Sequence, residues 1–215
     1  MLRKLWRRFK GKRAFEGSSN YWENRYKSGG NSGSGSFHQL AAFKAAFLNE
    51  FVQKHAITSV AEWGCGDGNQ SALFNFPNYV GYDVSKTAIS QCQERFKGDS
   101  SRQFELISGT RPNGLLFPLT ISLDVIYHLV EDDVYTHYLH NLFGSSSRFV
   151  IVYSNDNAHG EYGPHVRPRN FTPDVQRLFP AFHLIEHVPA PYPLEQWGPE
   201  RGSWSEFFVY ERQSD

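Results

Sequence analysis

Residues 61–69 read Ala61-Glu62-Trp63-Gly64-Cys65-Gly66-Asp67-Gly68-Asn69, an acid followed by three glycines in the spacing GxGxG. The short apolar run before them, Thr58 to Trp63, reads as a buried strand. A glycine turn at its end lets a ligand approach backbone where a side chain would collide. About twenty residues further on, a second strand, Tyr79-Val80-Gly81-Tyr82, ends in Asp83, placed as the carboxylate that accepts hydrogen bonds from ribose hydroxyls. Strand, glycine turn, strand and terminal acid together describe an adenosine site at the carboxyl edge of a sheet.

The glycine spacing and the charge then select the ligand. A dinucleotide fingerprint reads GxGxxG and rests its pyrophosphate on bare backbone amides. Here Glu62 and Asp67 bracket the turn, and two carboxylates repel a pyrophosphate but suit a ligand carrying an ammonium and a sulfonium. S-adenosylmethionine has both, and its demethylated product is S-adenosylhomocysteine.

Glu62 to Gly68 followed by Asp83 resembles motifs I and II of class I S-adenosylmethionine-dependent methyltransferases. Leu119 to Val130, an apolar strand, then Asp124, Tyr127 and His128, then the acidic helix start Glu131-Asp132-Asp133, resembles motif IV. The resemblance implies an α/β doubly wound, Rossmann-like sheet of seven strands, the last antiparallel, with helices on both faces. It also implies cofactor contacts from Glu62, Gly64, Gly66, Asp67, Gly68, Asn69, Asp83, Val84, Asp124 and Tyr26. The superfamily often has an acid after strand three for the adenine amino group. This chain offers Ser108, Thr110 or backbone there.

The strand–helix alternation agrees. Strands are expected at 58–63, 79–83, 104–107, 119–123 and 149–153, with helices at 37–54, 86–96, 134–143 and 173–179 between and after them. Segments 182–188 and 206–211 supply the last two strands. Residues 1–20 are expected to form a basic arm and 21–215 the domain, with 21–56 as an N-terminal lid and helix and 57–215 as the sheet core. The Ser28 to Ser36 run, rich in glycine and serine, is either a linker or a lid over the cofactor.

Composition narrows the partners. Lysine plus arginine and aspartate plus glutamate both number 22, so no basic surface for nucleic acid is expected. Charge is uneven, however: Leu2 to Arg13 holds seven Lys or Arg and no acid, with Leu2, Leu5, Trp6 and Phe9 interleaved. That stretch is either a solvated tail or a short amphipathic helix on an anionic membrane. It is too short to span a bilayer. Two cysteines, Cys65 and Cys92, suggest neither disulfides nor a metal cluster, and a reducing cytoplasm is expected, with peripheral attachment at the inner membrane face as the arm's role.

The wider block Tyr21 to Tyr26, Gly29 to Ser36, Phe43-Lys44, Leu48-Asn49, Glu62 to Asn69 and Ser122 to Asp132 is similar to bacterial methyltransferases found with glycan biosynthesis. The acceptor this implies is a saccharide hydroxyl in a surface glycan or its precursor. An O- or N-methylated small metabolite and a non-catalytic S-adenosylmethionine sensor are the alternatives. The (Asn/Asp)-Pro-Pro-(Tyr/Phe) motif of amino methyltransferases is absent after strand four. A hydroxyl nucleophile needs a base, and His128, Asp124 and His165 are the candidates, His128 being alternatively a structural histidine. Tyr127, Arg167 and Arg169 are candidate acceptor contacts, the two arginines otherwise being solvated surface charges. A divalent ion on Asp124, Asp156 and Glu131 is not favoured, because no spacing compels it.

Overall fold

A computed structural model describes residues 15–107, 114–157 and 162–213. Seven strands form one sheet: β1 (Val60–Trp63), β2 (Tyr79–Asp83), β3 (Arg102–Leu106), β4 (Phe117–Leu123), β5 (Ser146–Ser154), β6 (Phe182–Val188) and β7 (Glu206–Arg212). Their order is β3-β2-β1-β4-β5-β7-β6. The first five pair in parallel, and β7 lies antiparallel between β5 and β6. β1 and β4 sit at the centre, where the chain reverses direction across the sheet, so a crevice opens beyond their carboxyl ends.

Among the described residues, six α-helices accompany the sheet: α1 (Ser18–Lys27), α2 (His38–Lys54), α3 (Lys86–Arg95), α4 (Asp132–Gly144), α5 (Thr172–Leu178) and α6 (Leu194–Trp197). Because successive strand residues point to opposite faces, the core splits in two. Val60, Leu119, Ile121, Ile151 and Val209 pack with Leu48, Phe51, Ile89 and Cys92 of α2 and α3. Ala61, Trp63, Val150, Val152 and Phe208 pack with Leu139, Leu142, Phe143 and Val175 of α4 and α5.

Element ends follow local chemistry. The Ser85 hydroxyl accepts from Ala88 N at 3.1 Å and caps α3. Asp132 and Asp133 occupy the first turn of α4, where carboxylates suit the positive end of the helix. Asp156 accepts from the backbone of Phe171 and Thr172 and from the Thr172 hydroxyl at the start of α5.

The structure differs from the sequence-based expectation in several element bounds. The α1 helix begins inside the stretch assigned to the arm, with Ser18 buried. The stretch 1–13 lies outside the described residues, as does Ser108. Strand β3 starts earlier and β5 runs longer than the apolar runs indicate, because both continue to pair with neighbours through polar residues. Among the described residues, no helix is long and apolar enough to cross a membrane.

Candidate active site

The glycine turn after β1 is bound to β2: Gly64 N and Cys65 N both donate to Tyr82 O, at 2.7 and 3.0 Å. Gly64 (φ 84°) has no space for a side chain, since a Cβ would lie 2.5 Å from Val125 Cγ2. Gly66 (φ 57°) faces the Ser32 and Tyr26 hydroxyls, where a Cβ would fall. Its N–H donates to Asp83 Oδ2 at 2.9 Å, and Ser85 N donates to Asp83 Oδ1 at 2.8 Å. Burial pushes the Asp83 carboxyl above its usual range, against these backbone donors.

Asp67 and Asn69 work on the other side of the turn. Asp67 accepts from Ser32 N and Asn69 N, each at 3.0 Å, and its own N–H donates to the Ser32 hydroxyl. Asn69 Nδ2 donates to Ser36 O. The glycine- and serine-rich run is thereby fastened onto the turn, with a 3-10 turn at Ser34–Ser36.

A cavity of about 240 Å³ opens at this edge. Glu62, Gly64 and Gly66 line its floor, Asp83 and Val84 the β2 wall, Trp22 and Tyr26 of α1 the roof, and Asp124, Val125 and His128 the β4 wall. Eight expected site residues thus meet there: Tyr26, Glu62, Gly64, Gly66, Asp83, Val84, Asp124 and His128. Asp67, Gly68, Asn69, Tyr127, His165, Arg167 and Arg169 do not line it.

Glu62 is buried, and the Tyr79 hydroxyl donates to its Oε2 at 2.5 Å. Burial pushes its carboxyl up to about 7, with the Tyr79 bond and the nearby Lys44 charge opposing. Asp124 has a left-handed backbone (φ 59°). Its Oδ2 pairs with Lys44 Nζ at 2.6 Å, and its Oδ1 accepts from the Tyr127 hydroxyl at 3.0 Å and the Ser205 hydroxyl at 2.9 Å. Both carboxylate oxygens are engaged, which leaves Asp124 ill-suited to the role of free base.

His128 is better suited. Its Nδ1 lies 3.0 Å from His165 O. A carbonyl only accepts, so Nδ1 carries the proton and Nε2 keeps its lone pair. Burial pushes the imidazole down to about 4, below the near-neutral value that a histidine base suggests from sequence. His165 contributes its carbonyl, while its ring stacks on Tyr21 at 4.3 Å. The edge of Trp22 meets the His128 ring at 4.8 Å. Trp204 packs beside Tyr127 at 5.3 Å, and Tyr162 beside Trp204 at 4.5 Å.

The arginines are committed elsewhere. Arg169 is buried, pairs with Asp132, and donates to Leu129 O and Val130 O. Arg167 pairs with Asp132 at 2.9 Å and donates to Val130 O. Both brace the loop before α4, so the expectation of an acceptor grip is not carried forward. Glu131 accepts from Ser18 N and its hydroxyl, and Asp156 caps α5. These carboxylates and Asp124 are not gathered about one point, and the described residues contain no cluster of three or more potential metal ligands.

Sequence reasoning named Trp22 and Lys44 only as part of the wider block, with no role at the site, and missed Gln70 and Ser205. Lys44 had a signal: it falls on the buried stripe Leu40, Ala41, Ala45 and Leu48 of α2, where the helical period calls for an apolar residue.

No protein-family model matches the chain, and no curated protein matches it significantly. Solved structures do. N-methyltransferase NodS from Bradyrhizobium japonicum WM9, in complex with S-adenosyl-L-homocysteine, aligns over 93% of this chain and 100% of its own, with TM-score 0.71 and 15% identity. Magnesium protoporphyrin IX methyltransferase ChlM from Synechocystis PCC 6803, with bound S-adenosylhomocysteine, aligns over 91% and 98%, with TM-score 0.65 and 14% identity. The chain has the class I methyltransferase fold. The [4+2]-cyclase SpnF also superposes, over 92% of this chain and 94% of its own, with TM-score 0.63 and 10% identity. The methyltransferase fold therefore does not by itself fix the reaction, and function rests on the site.

Proposed function

We propose that the chain is an S-adenosylmethionine-dependent methyltransferase acting on a hydroxyl of a saccharide, in a bacterial surface glycan or its precursor. The observation that carries this reading is one cavity holding both a nucleoside-type edge, Asp83 beside the Gly64–Gly66 turn, and a neutral His128 with Nε2 unprotonated. The residues fit the cofactor: glycine backbone where a Cβ would intrude, a carboxylate for the ribose and buried Glu62 for the cationic tail. When bound, the cofactor supplies an electrophilic methyl on sulfur.

The chain's own work is then alignment and proton removal. His128 Nε2 takes the acceptor's hydroxyl proton, and the His165 carbonyl holds the tautomer that makes this possible. Asp124, fixed by Lys44, shapes the wall beside it. Ring faces are electron-rich and favour the C–H face of a sugar ring, which Trp22 on the cavity wall with Tyr21 and Trp204 nearby supports. The amine and porphyrin substrates in the names of NodS and ChlM belong to those proteins. The basic stretch 1–13 is proposed to hold the enzyme at an anionic cytoplasmic membrane face. Deleting it should release the protein from anionic vesicles while leaving turnover in solution unchanged.

Transfer of isotope-labelled methyl into a bacterial extract, then separated into glycan, protein, nucleic acid and small molecules, tests the reading. Label is expected in glycan. Label confined to small molecules would replace the acceptor with a metabolite, and cofactor binding without label would indicate a sensor.

A further inference from the structure

Arg25 lies one helical turn beyond Tyr21 and Trp22 on α1 and so shares the face that meets His165 and His128. Its guanidinium carbon is 5.6 Å from the centre of the Trp22 ring, and Trp22 lines the cavity. Two contacts hold the side chain. Its Nε donates to Asn31 O at 2.6 Å, and Gly30 packs so closely on the stem that a Cβ there would fall 2.8 Å from Arg25 Cγ. The guanidinium is thus held in place, yet among the described residues Nη1 and Nη2 donate to nothing and no acid pairs with it.

A cation suits the last turn of a helix, and Lys27 in that same turn has the Glu23 carboxylate within electrostatic reach. The Arg25 charge acts instead on the two imidazoles. Burial comes first in holding His128 and His165 below the usual histidine range, and Arg25 adds to it at both. Glu62, on the cofactor side, is reached by Lys44 and Arg102. An unpaired cation near a group that must take a proton works against that group. An acceptor that brought its own negative charge would neutralise the cation and relieve His128. With Nε already committed, the two terminal nitrogens form a fork that matches an anion presenting two oxygens.

We propose that Arg25 binds the acceptor, its Nη1–Nη2 fork taking a two-oxygen anion, a carboxylate or a phosphate, carried by the saccharide whose hydroxyl faces His128. This rests on the methyltransferase reading above.

The test begins with the labelled glycan from the transfer assay, passed over an anion exchanger. Label is expected in the retained fraction. Loss of retention on carboxyl reduction assigns a carboxylate, and loss on mild acid hydrolysis a glycosyl phosphate. Turnover of the retained glycan is then compared between wild type, Arg25→Gln and Arg25→Lys. Arg25→Gln should raise KM by about 10- to 100-fold, as for a lost hydrogen bond to a charged group. Arg25→Lys, which keeps the charge without the fork, should recover part of that loss. Affinity for S-adenosylhomocysteine, read by calorimetry, should hold in both variants. Label only in unretained, neutral glycan overturns the proposal. So does an unchanged KM in Arg25→Gln, which would make Arg25 a solvated surface charge, or a matching loss of S-adenosylhomocysteine affinity, which would assign it to the cofactor. No labelled glycan at all fails the saccharide reading itself, a result distinct from neutral label.

Discussion

Glu62 and His128 share one cavity, and burial shifts both towards their neutral forms, Glu62 up to about 7 and His128 down to about 4. The consequences differ in sign. A cationic ligand beside Glu62 favours its ionised form, so binding lowers the Glu62 pKa. Affinity should be full above pH 7 and fall as pH drops through it, by roughly tenfold per unit at most. Titrating S-adenosylhomocysteine affinity from pH 8 to 5.5 checks this, and Glu62→Gln should flatten the curve. A slope that survives Glu62→Gln would assign it to another group. His128 is neutral throughout that range, so its protonation limits turnover only near pH 4. His128→Ala should lower kcat by about a hundredfold or more with cofactor affinity retained, the size expected for loss of a general base. Turnover unchanged in that variant would remove His128 from the mechanism.

At the scale of elements, α1 is the part that closes the site. Ser18 donates from its backbone and hydroxyl to Glu131 at the start of α4, and Glu23 accepts from the Ser85 hydroxyl and from Thr87 N and Oγ1 at the start of α3. Trp22, between these anchors, lines the cavity, and Tyr26, one turn further on, faces Gly66. The helix was not legible in the sequence for a physical reason: Gly17 supplies no side-chain cap, and only Ser18 and Tyr26 are buried along it. Its stability comes from anchors more than 60 residues away in the chain, not from local propensity. Glu23→Ala removes three accepted hydrogen bonds and should free one end of the cover. Release of S-adenosylhomocysteine, followed by stopped-flow fluorescence of Trp22, should quicken by about tenfold. A single-turnover chemical step that slowed as much as release quickened would show instead that α1 orients the reactants.

Across the whole molecule, legibility follows chain distance. Strand, glycine turn and Asp83 fall next to one another at the sheet edge, as expected, because they are neighbours in sequence and their spacing reflects backbone geometry. The couplings that finish the site join Gln70 to Ala41 over 29 residues, His128 to His165 over 37 and Lys44 to Asp124 over 80, and no local pattern encodes them. The last of these ties α2 to the end of β4, while Ser205 brings in the segment before β7. Lys44 is fully buried and Asp124 half-buried at the cavity wall, so removing one partner strands the other charge. Lys44→Met should cost about 3–5 kcal/mol, with Tyr127 and Ser205 still donating to the stranded carboxylate. Asn is the replacement of choice at 124, because it tolerates the left-handed backbone and keeps a hydrogen-bonding oxygen without the charge. Lys44→Met combined with Asp124→Asn should therefore be more stable than Lys44→Met alone, measured by chemical denaturation of all four proteins. Strictly additive losses around that cycle would mean that the two charges do not stabilise each other, and the joining of α2 to the end of β4 would then rest on packing alone.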